Sequence, residues 1–203
     1  MDLSVNRLSF LDWNPLSLTL EGGEVVCLMG ESGSGKSLLL RAIADLVISE
    51  GEIALSGQRR ETFEPTEWRR RVGYLPAEIL WWEESVGAHF LATPTGDALR
   101  KVNLPATVND WSPSRLSMGE RQRLGILRML DREPEVLLLD EPTSNLDDKS
   151  ASVVENTILK YVEERSTPAL WVTHSETQAR RVGTRILEMK AKALTEREAK
   201  TGP

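Results

Sequence analysis

A glycine-rich octapeptide, Gly30-Glu31-Ser32-Gly33-Ser34-Gly35-Lys36-Ser37, constrains this chain more than any other stretch. It follows the apolar run Val25-Val26-Cys27-Leu28-Met29, which reads as a buried strand. It precedes Leu38-Leu39-Leu40-Arg41-Ala42-Ile43-Ala44, which reads as a helix. Strand, tight turn and helix in that order open an α/β unit. The glycines let backbone N–H groups converge as side-chained residues could not, so the turn is shaped to cradle phosphate oxygens. The helix N-terminus adds its partial positive charge. In such a loop Lys36 offers a point charge to β- and γ-phosphates, and the Ser37 hydroxyl is a ligand for Mg²⁺.

Size and charge narrow the setting. A chain of 203 residues suits one domain, with room for a subdomain. Its formal charge of −6 argues against a general nucleic-acid binder, and Trp68-Arg69-Arg70-Arg71 is the one candidate basic patch. The lone cysteine, Cys27, lies in the apolar run, so there is no disulfide framework and a reducing cytosol fits. No stretch approaches the ~18 consecutive apolar residues of a membrane span. Met1-Asp2-Leu3-Ser4-Val5 lacks the basic head and apolar run of a signal peptide.

The rest of the chain alternates strand and helix signals. Leu16-Ser17-Leu18-Thr19-Leu20 has period two, residues 51–57 give a short strand between glycines, and Val72-Gly73-Tyr74-Leu75 is a strand stopped by Pro76. Residues from about 78 to 114, rich in proline and tryptophan, read as a small, mostly helical subdomain. A helix runs from Met118 to Leu130 with Ser117 as N-cap, and Val136-Leu137-Leu138-Leu139 reads as a strand buried on both faces. A helix from about Lys149 to Arg165 and the strand Ala169-Leu170-Trp171-Val172-Thr173 follow. The charged tail, 191–203, is expected to be a solvated helix or a frayed end.

Val136-Leu137-Leu138-Leu139-Asp140-Glu141 ends a buried strand on two carboxylates. In doubly wound sheets ligands gather at the carboxyl ends of the strands, where the glycine loop also emerges. Asp140 is therefore expected near Ser37, holding Mg²⁺, and Glu141 is placed to polarise a water aimed at the γ-phosphate.

Leu116-Ser117-Met118-Gly119-Glu120, followed by Arg121-Gln122-Arg123, resembles the signature motif of ATP-binding cassette ATPases, usually LSGGQ. Asp140-Glu141-Pro142-Thr143-Ser144 comes shortly after it. Ser144-Asn145-Leu146-Asp147 is similar to the family's D-loop, and Val172-Thr173-His174 to its histidine switch. The ordered motifs cover the chain from about Ser4 to Met189. The resemblance implies a P-loop NTPase fold with a RecA-like parallel-sheet core, a short antiparallel N-terminal part and a small α-helical subdomain. It implies a single domain over 1–190, with the helical subdomain inserted at about 78–130.

The resemblance also implies a mechanism. Two such domains form a head-to-tail homodimer around two MgATP, and Ser117 and Gly119 reach the γ-phosphate held by the partner's phosphate loop. His174 contacts the γ-phosphate and Glu141. An aromatic near the N-terminus stacks on adenine, with Trp13 the better candidate and Phe10 the lesser. His89 has no motif around it and reads as structural. The implied role is the ATP-hydrolysing subunit of a transporter, with no nucleic-acid partner. It would be cytoplasmic and peripheral on the inner face of the cytoplasmic membrane, powering an integral-membrane partner. The stretch from Leu137 to His174 is somewhat similar to ATPases of bacterial exporters of iron or other metals.

Departures from the family pattern leave alternatives open. The glutamine usual after the third strand is replaced by Ala77, so either Glu78 substitutes as a metal ligand or the metal is held without it. Met118 replaces a signature glycine and Glu120 the usual glutamine, changes that could slow hydrolysis. Trp81-Trp82 lies where transport partners insert a coupling helix; the pair either marks that interface or fills the subdomain's core. A soluble cassette ATPase, or a low-turnover nucleotide-sensing module, is the alternative to transport.

Overall fold

The computed structural model describes residues 1–144 and 146–197. Its backbone is a six-stranded sheet flanked by helices, with a four-stranded antiparallel sheet against one face. The smaller sheet comprises β1 (Leu3–Ser9), β2 (Leu16–Leu20), β4 (Glu50–Leu55) and β5 (Gln58–Arg59), in the order β2-β1-β4-β5. The larger comprises β3 (Val25–Met29), β6 (Val72–Leu75), β7 (Val136–Asp140), β8 (Ala169–Val172), β9 (Arg185–Lys190) and β10 (Ala193–Arg197). Its order is β10-β9-β3-β8-β7-β6, with every pairing parallel except β9 with β10.

Strand composition explains the layering. All five residues of β3 and of β7 are buried, as strands covered on both faces must be. Alternate side chains then feed two cores. Val26, Leu28, Leu138 and Leu170 join the smaller sheet and α1 (Lys36–Ile43) on one side. Val25, Cys27, Leu137, Leu139 and Trp171 join α4 (Met118–Leu130), α5 (Asp148–Arg165) and α6 (Glu176–Val182) on the other. Burial pushes the Cys27 thiol up to about 12, so it packs as an inert hydrophobe, as expected.

Three regions differ from, or add to, the sequence reading. In α2 (Pro65–Arg71) Trp68 is fully buried, and its indole N–H donates to the Ile43 carbonyl at 2.9 Å. Arg69 pairs with Asp45, and Arg71 with Glu67 and Glu135, so the candidate basic patch is mostly spent on internal ion pairs. The subdomain after Pro76 builds its helices in short pieces: α3 (Gly96–Lys101) and 3-10 turns at 87–89, 106–110 and 113–115, punctuated by Pro94, Pro105 and Pro113. These pack around a third, smaller core that includes Leu99, Val108 and Leu124. The tail is neither helix nor frayed end as far as Arg197. Ala193–Arg197 pairs with β9, satisfying the backbone groups of a strand that would otherwise be an open edge. Residues 198–203 of the expected tail lie outside the described residues.

Candidate functional site

The glycine loop joins the carboxyl end of β3 to α1, and its shape depends on positions where only glycine fits. Gly30 has φ 150°, and a Cβ there would meet the Met189 carbonyl oxygen at 2.5 Å. Gly35 has φ 90°, and a Cβ there would lie 2.8 Å from the Trp13 ring. Gly35 is also the N-cap of α1 and supplies no side-chain cap, and the first turn carries no acidic residue. The amides that open α1 are thereby left for an anion.

Lys36, only 6% exposed, curls over the loop. Its Nζ donates to the carbonyls of Gly30 (2.9 Å) and Glu31 (2.8 Å) and to Ser34 Oγ (3.4 Å). Burial holds this ammonium below its ordinary value, while the charges of Glu141 and Asp140 pull the other way. Four sequence-predicted residues meet here. A cavity of about 220 Å³ is lined by the loop, Lys36, Ser37, Glu141 and His174. His174 Nε2 and Glu141 Oε1 are 2.9 Å apart.

Each member of that pair stands at a strand end. Glu141 follows β7 with φ 49°, a left-handed conformation unusual for a side-chained residue and typical of functional turns. Its amide donates to the Val172 carbonyl (3.2 Å), and its own carbonyl accepts from Ser144 N (3.2 Å) and Ser144 Oγ (3.1 Å). His174 follows β8 after Thr173, whose amide donates to the Leu28 carbonyl at 3.3 Å. Asp140, 3% exposed, ends β7. Its Oδ2 accepts from the Tyr74 hydroxyl at 3.3 Å, and that hydroxyl also accepts from Arg41 Nε at 3.3 Å. Burial, ahead of the other influences, raises the Tyr74 hydroxyl above its ordinary value, so it stays a neutral donor to Asp140.

A second cavity, of about 480 Å³, shares Ser32–Gly35 and Leu38 with the first and extends under Trp13 to residues 188–192. Phe10 is 2% exposed and stacks behind Trp13 at 5.6 Å with an 18° interplanar angle. Only the Trp13 ring is presented to the cavity; Phe10 backs it. Sequence reasoning had no signal for the part of this wall made by Glu188–Lys192, which comes from the end of β9 and the β9–β10 turn.

The signature residues stand elsewhere. Ser117, Met118 and Gly119 line neither cavity, and Met118 is 64% exposed. Ser117 caps α4 through a reciprocal box: its Oγ accepts from Glu120 N (3.3 Å), while Glu120 Oε2 accepts from Ser117 N and Oγ, both at 2.8 Å. The Ser-x-x-Glu spacing is itself a capping signal, which glutamate serves as glutamine would, so Glu120 keeps the cap. Gly119 faces Leu146, where a Cβ would approach at 3.2 Å. Of the D-loop stretch, Asn145 lies outside the described residues.

Ala77 and Glu78 line a different cavity beside Met118 and Trp81, so Glu78 is not brought to the phosphate loop. The tryptophan pair divides. Trp81 packs between two of the cores, and Trp82 is 68% exposed. Arg128 lies over both rings, at 4.5 and 5.0 Å. His89 is structural: its Nε2 accepts from the amides of Trp82 and Glu83, each at 2.8 Å, which leaves Nδ1 to donate to the Ser85 carbonyl at 2.9 Å.

Residues 13–144 match the family described as ABC transporter. An sn-glycerol-3-phosphate import ATP-binding protein of Agrobacterium fabrum is 35% identical over 86% of this chain, which spans half of that relative's length. A probable iron export ATP-binding protein of Escherichia coli is 32% identical over 80% of this chain and 78% of its own length. A solved dimeric ATP-binding cassette bound to ADP and phosphate superposes with a TM-score of 0.80 at 24% identity, covering 96% of this chain and 98% of that one, a likeness of fold. The chain belongs to the ABC transporter family.

Proposed function

We propose that this chain is the subunit that binds MgATP, pairs head to tail with a second copy across two nucleotides, and powers an integral-membrane partner from the cytoplasmic face of the membrane. The observation that carries the catalytic half is the 2.9 Å His174–Glu141 contact inside the cavity that also holds Lys36. Glu141 takes the proton of the attacking water, and His174 holds that carboxylate in line with the γ-phosphate. The loop amides of Gly30–Ser37 and the Lys36 ammonium bind the phosphates, and the Trp13 face stacks on adenine.

The metal suits the residues present. Among the described residues no group of three or more His, Cys, Asp or Glu forms a metal cage. Ser37 lines the phosphate-loop cavity and Asp140 is a buried carboxylate at the end of β7; one hydroxyl and one carboxylate are the sparse oxygen set that Mg²⁺ takes when phosphates complete its shell. Asp140 and Ser37 would hold it, and it would supply neutralisation of charge between the β- and γ-phosphates. Glu78 has no part in this set.

The signature residues support pairing, because Ser117 and Gly119 stand on an exposed helix start outside both cavities of their own chain. A groove of about 460 Å³ between β6 and α4 supports the membrane partner. It is lined by Arg69, Arg70, Trp82, Arg128 and Arg132, and among the described residues Arg70 and Arg132 make no ion pair. No helix of the described residues is long and apolar enough to cross a membrane.

The test is Glu141→Gln. The variant should bind ATP as the parent does, lose about 10²–10⁴-fold in turnover, and accumulate as an ATP-dependent dimer by size-exclusion chromatography. Turnover at the parent's rate removes Glu141 as the base. Recovery of the native chain only in soluble fractions, never with a multi-span protein, removes the transport reading.

A further inference from the structure

Behind the Glu141–His174 pair lies a buried polar cluster that phosphate binding does not use. Thr143, Glu155, Thr173 and Gln178 are each at most 9% exposed. Gln178, on α6, sits at the centre. Its Nε2 donates to Thr143 Oγ1 and to Glu155 Oε1, both at 2.7 Å, and its Oε1 accepts from Thr173 Oγ1 at 2.6 Å. Arg181 closes the far side with a two-pronged contact to Glu155, at 2.7 and 2.8 Å. The orientation of the amide follows from its neighbours: an ionised carboxylate only accepts, so the nitrogen must face Glu155.

The two threonines are not arbitrary anchors. Thr143 lies inside the turn that begins at Glu141 and is closed by Ser144 on the Glu141 carbonyl. Thr173 immediately precedes His174, and its hydroxyl also accepts from Ser175 N at 3.1 Å. One amide therefore ties together the two backbone segments that carry both members of the pair. An apolar residue at 178 would take the Gln178 bond from the Thr143 hydroxyl, leave the Thr173 hydroxyl without its acceptor and remove one of the bonds to Glu155, which keeps Arg181; a glutamate would set its charge against Glu155. We propose that Gln178 is the positioning residue for hydrolysis, setting the Glu141–His174 distance through Thr143 and Thr173. The proposal rests on the reading of Glu141 as the base.

A double-mutant cycle tests it. Gln178→Leu, His174→Ala and their combination are compared with the parent for kcat, KM and melting temperature. Gln178→Leu should lower kcat about 10–100-fold, the range usual for orienting partners, with KM within about twofold, because nothing in the cluster lines the phosphate cavity. On the His174→Ala background the same change should cost little more. Losses that multiply in the combination, or an unchanged kcat in Gln178→Leu, overturn the proposal.

A second arm covers the case in which Gln178→Leu does not fold. Gln178→Glu alone should lose activity, and Glu155→Gln with Gln178→Glu should regain most of it, since the swap leaves every group a partner. No recovery in a folded swap overturns the proposal. A parent that hydrolyses no ATP at all fails the underlying reading instead, and it is seen before any variant is made.

Discussion

The phosphate-loop region of this molecule and its signature region, the two proposed to meet nucleotide, are built in opposite ways. The region of Gly30–Ser37, Glu141 and His174 sits at the carboxyl ends of buried strands, and its side chains converge on one cavity. The region of Ser117–Gly119 sits at the open start of a helix, and its hydrogen bonds close on itself through Glu120. The first is held from behind by buried groups such as Asp140 and Gln178. The second has solvent on the face that matters, with Met118 64% exposed. A phosphate cradle needs fixed amides and therefore a rigid sheet edge, whereas a surface that must meet another chain needs to protrude.

The largest expected effect falls on the convergent region. Replacing Lys36 with Ala removes the one ammonium in the cavity, and a charge-assisted hydrogen bond is worth about 1.5–3 kcal/mol. Lys36→Ala should weaken ATP binding about 10–100-fold by calorimetric titration of the single chain. An affinity equal to the parent's would break the comparison at its strongest point.

Next comes the support behind that region. Burial pushes the Glu155 carboxyl up, but its bonds to Arg181 and Gln178 outweigh burial and hold it below its ordinary value of 4.5. A depressed carboxylate contributes stability that is present above the unfolded value and lost as pH falls through the folded one. Glu155→Gln should therefore be about 1–2 kcal/mol less stable than the parent near neutrality. That figure is for hydrogen bonds to a charge, reduced because the Arg181 side chain is 57% exposed. The gap should close as the pH drops below about 4, read by denaturant melts across pH. A gap independent of pH would show that packing, not the ionised carboxylate, holds the cluster.

The same contrast governs what the sequence made legible. The strands and the glycine loop announce themselves locally, because an apolar run buried on both faces and a turn that only glycine can make leave few alternatives. Trp13 was legible as a candidate stacking aromatic and its ring lines the cavity, while the burial of its neighbour Phe10, at 2% exposure, was not legible. The polar support was not legible. Glu155 and Gln178 lie on helices whose charged residues look solvent-facing in sequence, and only the packing of α5 on α6 brings them together. Ala193–Arg197 hid for the same reason: a strand full of charge gives no apolar period and forms because the β9 edge is there to receive it. Trp68 misled in the other direction, since its basic neighbours suggested a surface while its indole was needed in the core.

The smallest effect, and the sharpest, is on the protruding region. Ser117 both caps α4 and faces outward, so its two roles can be separated. Ser117→Ala deletes the cap and should cost about 1 kcal/mol, lowering the melting temperature. Ser117→Asn keeps an N-cap acceptor and can still donate to Glu120, so its stability should stay within a few tenths of a kcal/mol of the parent. Neither change should alter ATP affinity measured on the single chain, because Ser117 lines neither cavity of its own fold. Both should lower steady-state turnover, Ser117→Asn without any loss of stability to explain it, because in the proposed pairing the larger side chain would stand where the second copy's nucleotide closes. If single-chain ATP affinity falls in Ser117→Asn, the two regions serve one site within one chain. If affinity and melting temperature hold while turnover falls, the site is divided between two.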